Sequence, residues 1–244
     1  MRVKEGPKGD AMDEQERGGA GPFGKPRGVP DKPLLEALIV FLSFYLASFI
    51  FAGAAPRPLS GPSYHLAVLA VNLPRALLVL YIMAAGDGLR LFDVVLPRRI
   101  DAVRGLLCAI GALAVVIVPG LLFSALGIQN PFLAQAGSGA RAGAALIPLI
   151  LASSLATGYC EELFFRSYLM RRLGQGGLPV VWSAIASSLL FGGGHGYQGI
   201  IGLVSGSLLG LFFAWRWQDG KNIHEIAIGH GLFDAAILAI VLYS

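Results

Sequence analysis

Ionisable residues interrupt the apolar stretches of this chain in three places. The first is the run Glu161-Glu162-Leu163-Phe164-Phe165-Arg166, the second is His195 following Phe191, and the third is His230 with Asp234. A charged residue at the centre of a membrane helix costs roughly 2.5–3.5 kcal/mol on insertion scales, so such residues usually face a cavity and do work there. Glu162 and Arg166 stand four apart, which on a helix brings them to one face as a pair. Glu161 lies about 100° further round the helix and is left out of that pair. A carboxylate without a countercation is the kind of group that takes a proton from water as a general base. The plainer reading is a structural ion pair at a helix end, which needs only one of the two glutamates. His230 and Asp234 are also four apart, so Asp234 can fix the tautomer and orientation of His230; alternatively the two tie helices together. His195 taken alone fits a core histidine as well as a ligand.

The elements that carry these residues follow from composition. The chain has 244 residues, 55% hydrophobic and 14% charged, with a mean hydropathy of +0.66. Ordinary soluble domains are about 45–50% apolar and about 25% charged. A disordered protein, a coiled coil, a collagen-like rod and most nucleic-acid binders are thereby excluded. A soluble α/β enzyme is excluded too, because the apolar blocks are too long for strands. The blocks run Leu34 to Ala55, Tyr64 to Ala85, Gly105 to Leu126, Ala142 to about Leu173, Leu178 to His195, Gly199 to Trp217 and Glu225 to Tyr243. Most approach the roughly 20 residues that cross about 30 Å of hydrocarbon. The expected fold is all-α, a polytopic bundle of about seven transmembrane helices around a polar catalytic cavity. Residues 1–33, rich in Gly, Pro and charge, are expected to be a disordered cytoplasmic tail. Residues 34–141 hold three N-terminal helices and residues 142–244 a core of four. Ala52-Gly53-Ala54-Ala55 faintly resembles a signal-peptidase site, but the apolar run before it is longer than a usual signal core, so the first block is read as a retained helix.

The net charge is +4 and the pI about 9.2, yet the basic residues are scattered over loops. That pattern sets membrane orientation and does not read a nucleic-acid groove. With the tail inside, the basic residues of the tail, Arg90, Arg98, Arg99, Arg104, Arg166, Arg171, Arg172, Arg216 and Lys221 all fall on the cytoplasmic side. Only Arg57 and Arg141 fall outside, and Arg75 lies within a helix. Cys108 and Cys160 sit in apolar blocks as small core residues, with no framework or metal spacing. Gly202, Gly206 and Gly210 form a stripe of small residues suited to close helix packing. Gly192-Gly193-Gly194 weakens a helix end and leaves room for another backbone or a substrate beside His195.

The three places can share one depth. By about 1.5 Å of rise per residue, Glu161 stands roughly 20 Å before the turn at Gly174 to Pro179 and His195 roughly 24 Å after it. His230 stands about 15 Å beyond Gly220 on the same arithmetic. Familiar protease signatures fail. His224-Glu225 is followed by Ile228 where a zincin needs a second histidine. Ser205-Gly206 lacks the first glycine of a rhomboid-type site, and Gly86-Asp87 lacks that of a presenilin-type site.

EExxxR at Glu161, Glu162 and Arg166, FxxxH at Phe191 and His195, and HxxxN/D at His230 and Asp234 together resemble the CPBP family. That family comprises the CAAX prenyl endopeptidases and related bacterial proteins of bacteriocin processing and immunity. The resemblance implies a helical membrane core around a polar cavity open to the cytosolic side. It implies that Glu161 activates water, that His195 holds the same water, and that His230 with residue 234 stabilises the oxyanion. Glu162, Arg166 and Phe191 support the geometry. One departure stands out: position 234 is Asp where the best-understood CAAX endopeptidases carry Asn, and an ionised Asp cannot donate a hydrogen bond. Zinc held by Glu161, His195, His230 and Asp234 is the alternative, but a metal-free glutamate mechanism is favoured because zinc ligands usually include a closely spaced helical pair. The implied activity is endopeptidase cleavage near a membrane-embedded or lipidated, CAAX-like C-terminus. A non-enzymatic binding or immunity scaffold of the same fold is the alternative, and a proton-coupled carrier is disfavoured by the lack of an inverted repeat. The partners expected are the lipid bilayer and a membrane-anchored protein or peptide, with no nucleic acid. The expected location is the bacterial inner membrane.

Overall fold

The computed structural model describes residues 32–50, 58–86, 88–89, 94–131 and 142–243. The expected tail up to residue 31, Ala52 to Ala55, Arg57, Arg90 and Arg141 lie outside the described residues. Every described element is helical. In chain order they are α1 (Pro33–Ile50), α2 (Pro62–Gly86), α3 (Arg99–Ala125), a 3-10 turn (Ala144–Leu146), α4 (Ile147–Glu162), a π-helical stretch (Leu163–Leu169) and α5 (Met170–Gln175). Then come α6 (Val180–Gly194), a second 3-10 turn (Gly196–Gln198), α7 (Gly199–Gly220) and α8 (Ile223–Tyr243). Each apolar block falls on a helix. Five stretches are long and apolar enough to cross a membrane: Pro62–Gly86, Arg99–Ala125, Ala144–Gln175, Gly196–Gly220 and Ile223–Tyr243. Pro33–Tyr45 and Val180–Gly194 are apolar but shorter.

The long fourth block is one continuous rod, α4 through α5, whose middle turns are π-helical. All seven side chains of Leu163–Leu169 are buried, so this segment has no lipid-facing side and forms the centre of the bundle. Phe164 packs among Phe41, Phe44 and Tyr45 of α1, with ring centroids 5.5–6.3 Å apart. The wider turn follows directly on Glu161 and Glu162, in keeping with the frequent placement of π-bulges at functional sites.

Close helix approach depends on missing side chains. A Cβ on Gly158 of α4 would lie 2.7 Å from the backbone nitrogen of Gly231 on α8. A Cβ on Gly210 of α7 would lie 2.9 Å from Cα of Ser188 on α6, and one on Gly206 would lie 3.1 Å from Cα of Gly192. The small-residue stripe therefore does what its spacing predicts. Gly192 likewise makes room for a backbone, with Ser207 nitrogen 2.7 Å from where its Cβ would be, whereas Gly193 and Gly194 face open space.

One end of the bundle is closed by polar contacts. Arg172 Nε donates to Glu36 Oε1 at 2.9 Å, and Tyr168 donates its hydroxyl to the same oxygen at 2.7 Å. Asn222 caps α8 by accepting from the His224 and Glu225 amides, and its own amide donates to buried Asp101 at 2.7 Å, satisfying donors the first helical turn leaves orphaned. Arg216 Nε donates to Glu225 at 2.9 Å. Arg166, grouped above with the cytoplasmic basic residues, is not at this end. It is fully buried in the rod, because its i−4 partner Glu162 holds it there, and it contributes no orientation signal.

The glycine contacts predict that Gly158→Val separates α4 from α8. Overpacking of this kind costs about 1–3 kcal/mol, so thermal unfolding in detergent is expected at lower temperature. Gly120→Ala, where a Cβ meets nothing within 4 Å, should leave the transition in place.

Candidate active site

The side chains singled out by their chemistry converge around the junction of α4 and the π stretch. Glu162 is wholly buried and serves two partners. Its Oε2 lies 3.1 Å from Arg166 Nε, the expected i, i+4 pair, and its Oε1 accepts a hydrogen bond of 2.8 Å from Nδ1 of His230. The partner that sets the tautomer of His230 is thus Glu162, from another helix. Asp234 instead faces the opposite ring nitrogen, with Oδ2 3.6 Å from Nε2. Glu161 Oε2 reaches the same nitrogen at 3.8 Å and has no hydrogen-bond partner among the described residues. Glu161 is the free member of the glutamate pair, as its angular offset predicts.

Aromatic rings hold the imidazoles. His230 stacks on Phe213 of α7 at 5.0 Å between centroids and meets the edge of Phe191 at 5.7 Å. Phe191 also carries the Arg166 guanidinium over its face at 5.0 Å, a cation–π contact. Four residues on, His195 terminates α6. Its Nδ1 lies 2.9 Å from the Phe191 carbonyl. A carbonyl only accepts, so Nδ1 carries the proton, and the neutral ring presents an Nε2 lone pair elsewhere. The bond also satisfies one of the carbonyls orphaned at a helix end. Phe191 thereby touches all three motifs, which gives the FxxxH spacing a physical reason.

Glu161, His195, His230 and Asp234 all line one cavity of about 700 Å³. Phe191 and Ser205 join them, and the cavity extends past Tyr64 and Gln129 toward the helix ends opposite the closed polar end. Glu162 and Arg166 lie behind this wall, out of the cavity. Among the described residues no three His, Cys, Asp or Glu side chains converge as a metal ion requires. Glu162 is among the supporting residues the sequence indicates, but its bond to His230 carries no sequence signal, since nothing in a linear pattern reveals a bond between helices. Phe213 carried no signal at all, being one aromatic residue in an apolar run.

The buried pair makes a stability prediction. Arg166→Met strands the Glu162 charge, and breaking a buried pair from one side costs about 3–5 kcal/mol. Unfolding measured in detergent should show a loss of that order. The double variant Glu162→Met with Arg166→Met should recover part of it.

Residues 143–236, the segment that carries Glu161, Glu162, Arg166, Phe191, His195, Phe213, His230 and Asp234, match the family model described as type II CAAX prenyl endopeptidase Rce1-like. No curated protein and no solved structure matches the chain. The match coincides with the three motifs, so the segment from α4 to α8 is Rce1-like in sequence, consistent with the CPBP family of membrane proteases.

Proposed function

We propose that the chain is an intramembrane endopeptidase that hydrolyses a peptide bond of a membrane-anchored protein by a Glu161-activated water. The observation that carries this reading is the Glu161 carboxylate oxygen that accepts no hydrogen bond among the described residues, on the wall of a cavity shared with His195, His230 and Asp234. The Rce1-like match supports a membrane protease in general terms. Five helices are long and apolar enough to cross a bilayer, and the sevenfold crossing that also counts the two shorter apolar helices is part of this proposal. The bacterial inner membrane with the N-terminus inside is the location proposed.

In this mechanism a water between Glu161 and the Nε2 lone pair of His195 loses a proton to Glu161 as its oxygen attacks the scissile carbonyl. The carbonyl becomes an oxyanion, which His230 stabilises from Nε2 when it carries both ring protons. Glu161 then returns the proton to the leaving amine, so hydrolysis balances without a further reactant. Glu162 holds His230 by Nδ1 and is itself held by Arg166, which makes both positioning residues. Asp234, unable to donate when ionised, orients Nε2 or takes part as the protonated acid. No metal enters these steps.

Glu161→Gln keeps the shape and removes the base. Cleavage of a membrane-anchored reporter is expected to fall by at least 10²-fold, the lower range of general-base contributions, with unchanged thermal unfolding. Normal turnover by this variant removes Glu161 as the base, whereas absence of cleavage by the unaltered protein favours a binding scaffold. Dialysis against a strong chelator is expected to leave activity intact; loss that zinc restores would instead assign the metal-dependent mechanism.

A further inference from the structure

We infer that Arg75 on α2 is a positioning residue for the reaction, its guanidinium balancing the charge of the Glu161 carboxylate from the α2 side. The inference rests on the endopeptidase reading. It adds a residue that belongs to none of the three motifs and lies outside the segment 143–236 that matches the protease family.

Arg75 stands near the middle of α2, a helix long and apolar enough to cross a membrane. A charge at such a place costs roughly 2.5–3.5 kcal/mol on insertion scales and usually does work. Arg75 is half-buried and forms no salt bridge among the described residues. Its guanidinium instead lies 5.9 Å from the ring centroid of Phe44 and 6.0 Å from that of Tyr45, both on α1. Aromatic rings hold a cation but do not neutralise it. The Tyr45 ring in turn packs on Phe164 and Phe165, at 5.5 and 5.3 Å between centroids. The guanidinium is thereby held beside the turn of the central rod that follows Glu161 and Glu162.

Two hydrogen bonds fix the register of α2 against α4. His65 Nδ1 lies 2.8 Å from Ser153 Oγ, and further along both helices the Asn72 amide donates to Thr157 Oγ1 at 2.9 Å. Later residues of α2 meet later residues of α4, so the two helices run in the same direction. Arg75 follows Asn72 by about 4.5 Å of rise and Glu161 follows Thr157 by about 6 Å. The two therefore reach the same level, and the Arg75 charge acts on the Glu161 carboxylate together with those of His230 and Arg166. Charge balance makes this contact useful. Glu161, Glu162 and Asp234 are three carboxyl groups, and Arg166 is taken up by Glu162. His230 is positive only while it carries both ring protons, as the oxyanion step requires. Arg75 supplies a third positive charge, three against three when all the carboxyls are ionised. A neighbouring cation favours the ionised carboxylate, the form that takes a proton from water, and it also favours return of that proton to the leaving amine.

Two substitutions at this position separate charge from packing. Arg75→Gln removes the charge and keeps a polar side chain, whereas Arg75→Lys keeps the charge. In cleavage of a membrane-anchored reporter, Arg75→Gln is expected to lower kcat by about tenfold and leave KM unchanged, as expected of a contact that serves the chemical step. Arg75→Lys should recover most of that loss. A normal kcat for Arg75→Gln overturns the inference, and so does a loss that Arg75→Lys repairs no better, which marks a packing role. Infrared absorption at neutral pH reads the same contact without catalysis. Arg75→Gln is expected to gain the band of a protonated carboxyl group, and adding Glu161→Gln to that variant should remove it. A spectrum that gains no such band, or keeps it in the double variant, overturns the inference. If the unaltered protein cleaves nothing while the infrared pattern holds, the endopeptidase reading fails and takes the positioning role with it, whereas the electrostatic contact between Arg75 and Glu161 stands.

Discussion

The Glu162 carboxylate is the interaction on which the rest of the structure turns. It is completely enclosed, with Arg166 on one oxygen and His230 on the other. A charge placed so deep is tolerated only if it is paired and hydrogen-bonded. The two partners come from different directions: Arg166 from the next turn of the same rod, and His230 from α8. Meeting the second demand requires α8 to lie almost against α4, and Gly158 and Gly231 remove the side chains that would prevent it. The polar requirement and the small-residue contact are one constraint seen from two sides.

That constraint also divides the glutamates. With Glu162 committed to Arg166 and His230, the group nearest Glu161 among the described ion-pair contacts is His230 Nε2, at 3.8 Å. The π stretch begins at the next residue after the pair. Its wider turns still return Arg166 beneath Glu162, while the glutamate one position earlier stays on the cavity side. Phe191 completes the arrangement from α6 by packing against the guanidinium and both imidazoles. The Glu161 carboxylate thus faces the cavity beside a neighbour whose oxygens lie against Arg166 and His230.

Much of this was legible beforehand, for reasons specific to each residue. The apolar blocks announced helices because lipid-length hydrophobic runs have few other solutions. The Glu162–Arg166 pair and the independence of Glu161 followed from helical periodicity alone, which is a local property. The partner of His230 was not legible, because four-residue spacing pointed to Asp234 while the shorter bond crosses to Glu162 on another helix. Arg166 was counted as a loop charge, since its burial depends on the whole rod being surrounded.

Position 234 shows how these constraints bear on chemistry. Around His230 stand three carboxyl groups, Glu161, Glu162 and Asp234, against one guanidinium, Arg166. Replacing an amide with a carboxyl at 234 removes a hydrogen-bond donor from the side facing the substrate and adds an acceptor there. On the proposed mechanism the oxyanion then depends on His230 alone, unless Asp234 holds a proton of its own. The Nδ1 bond to Glu162 makes that dependence workable, because it fixes the ring so that Nε2 points into the cavity whichever state Asp234 adopts. The hydrogen bond buried behind the wall of the site thus holds the His230 ring independently of the residue on its face at position 234.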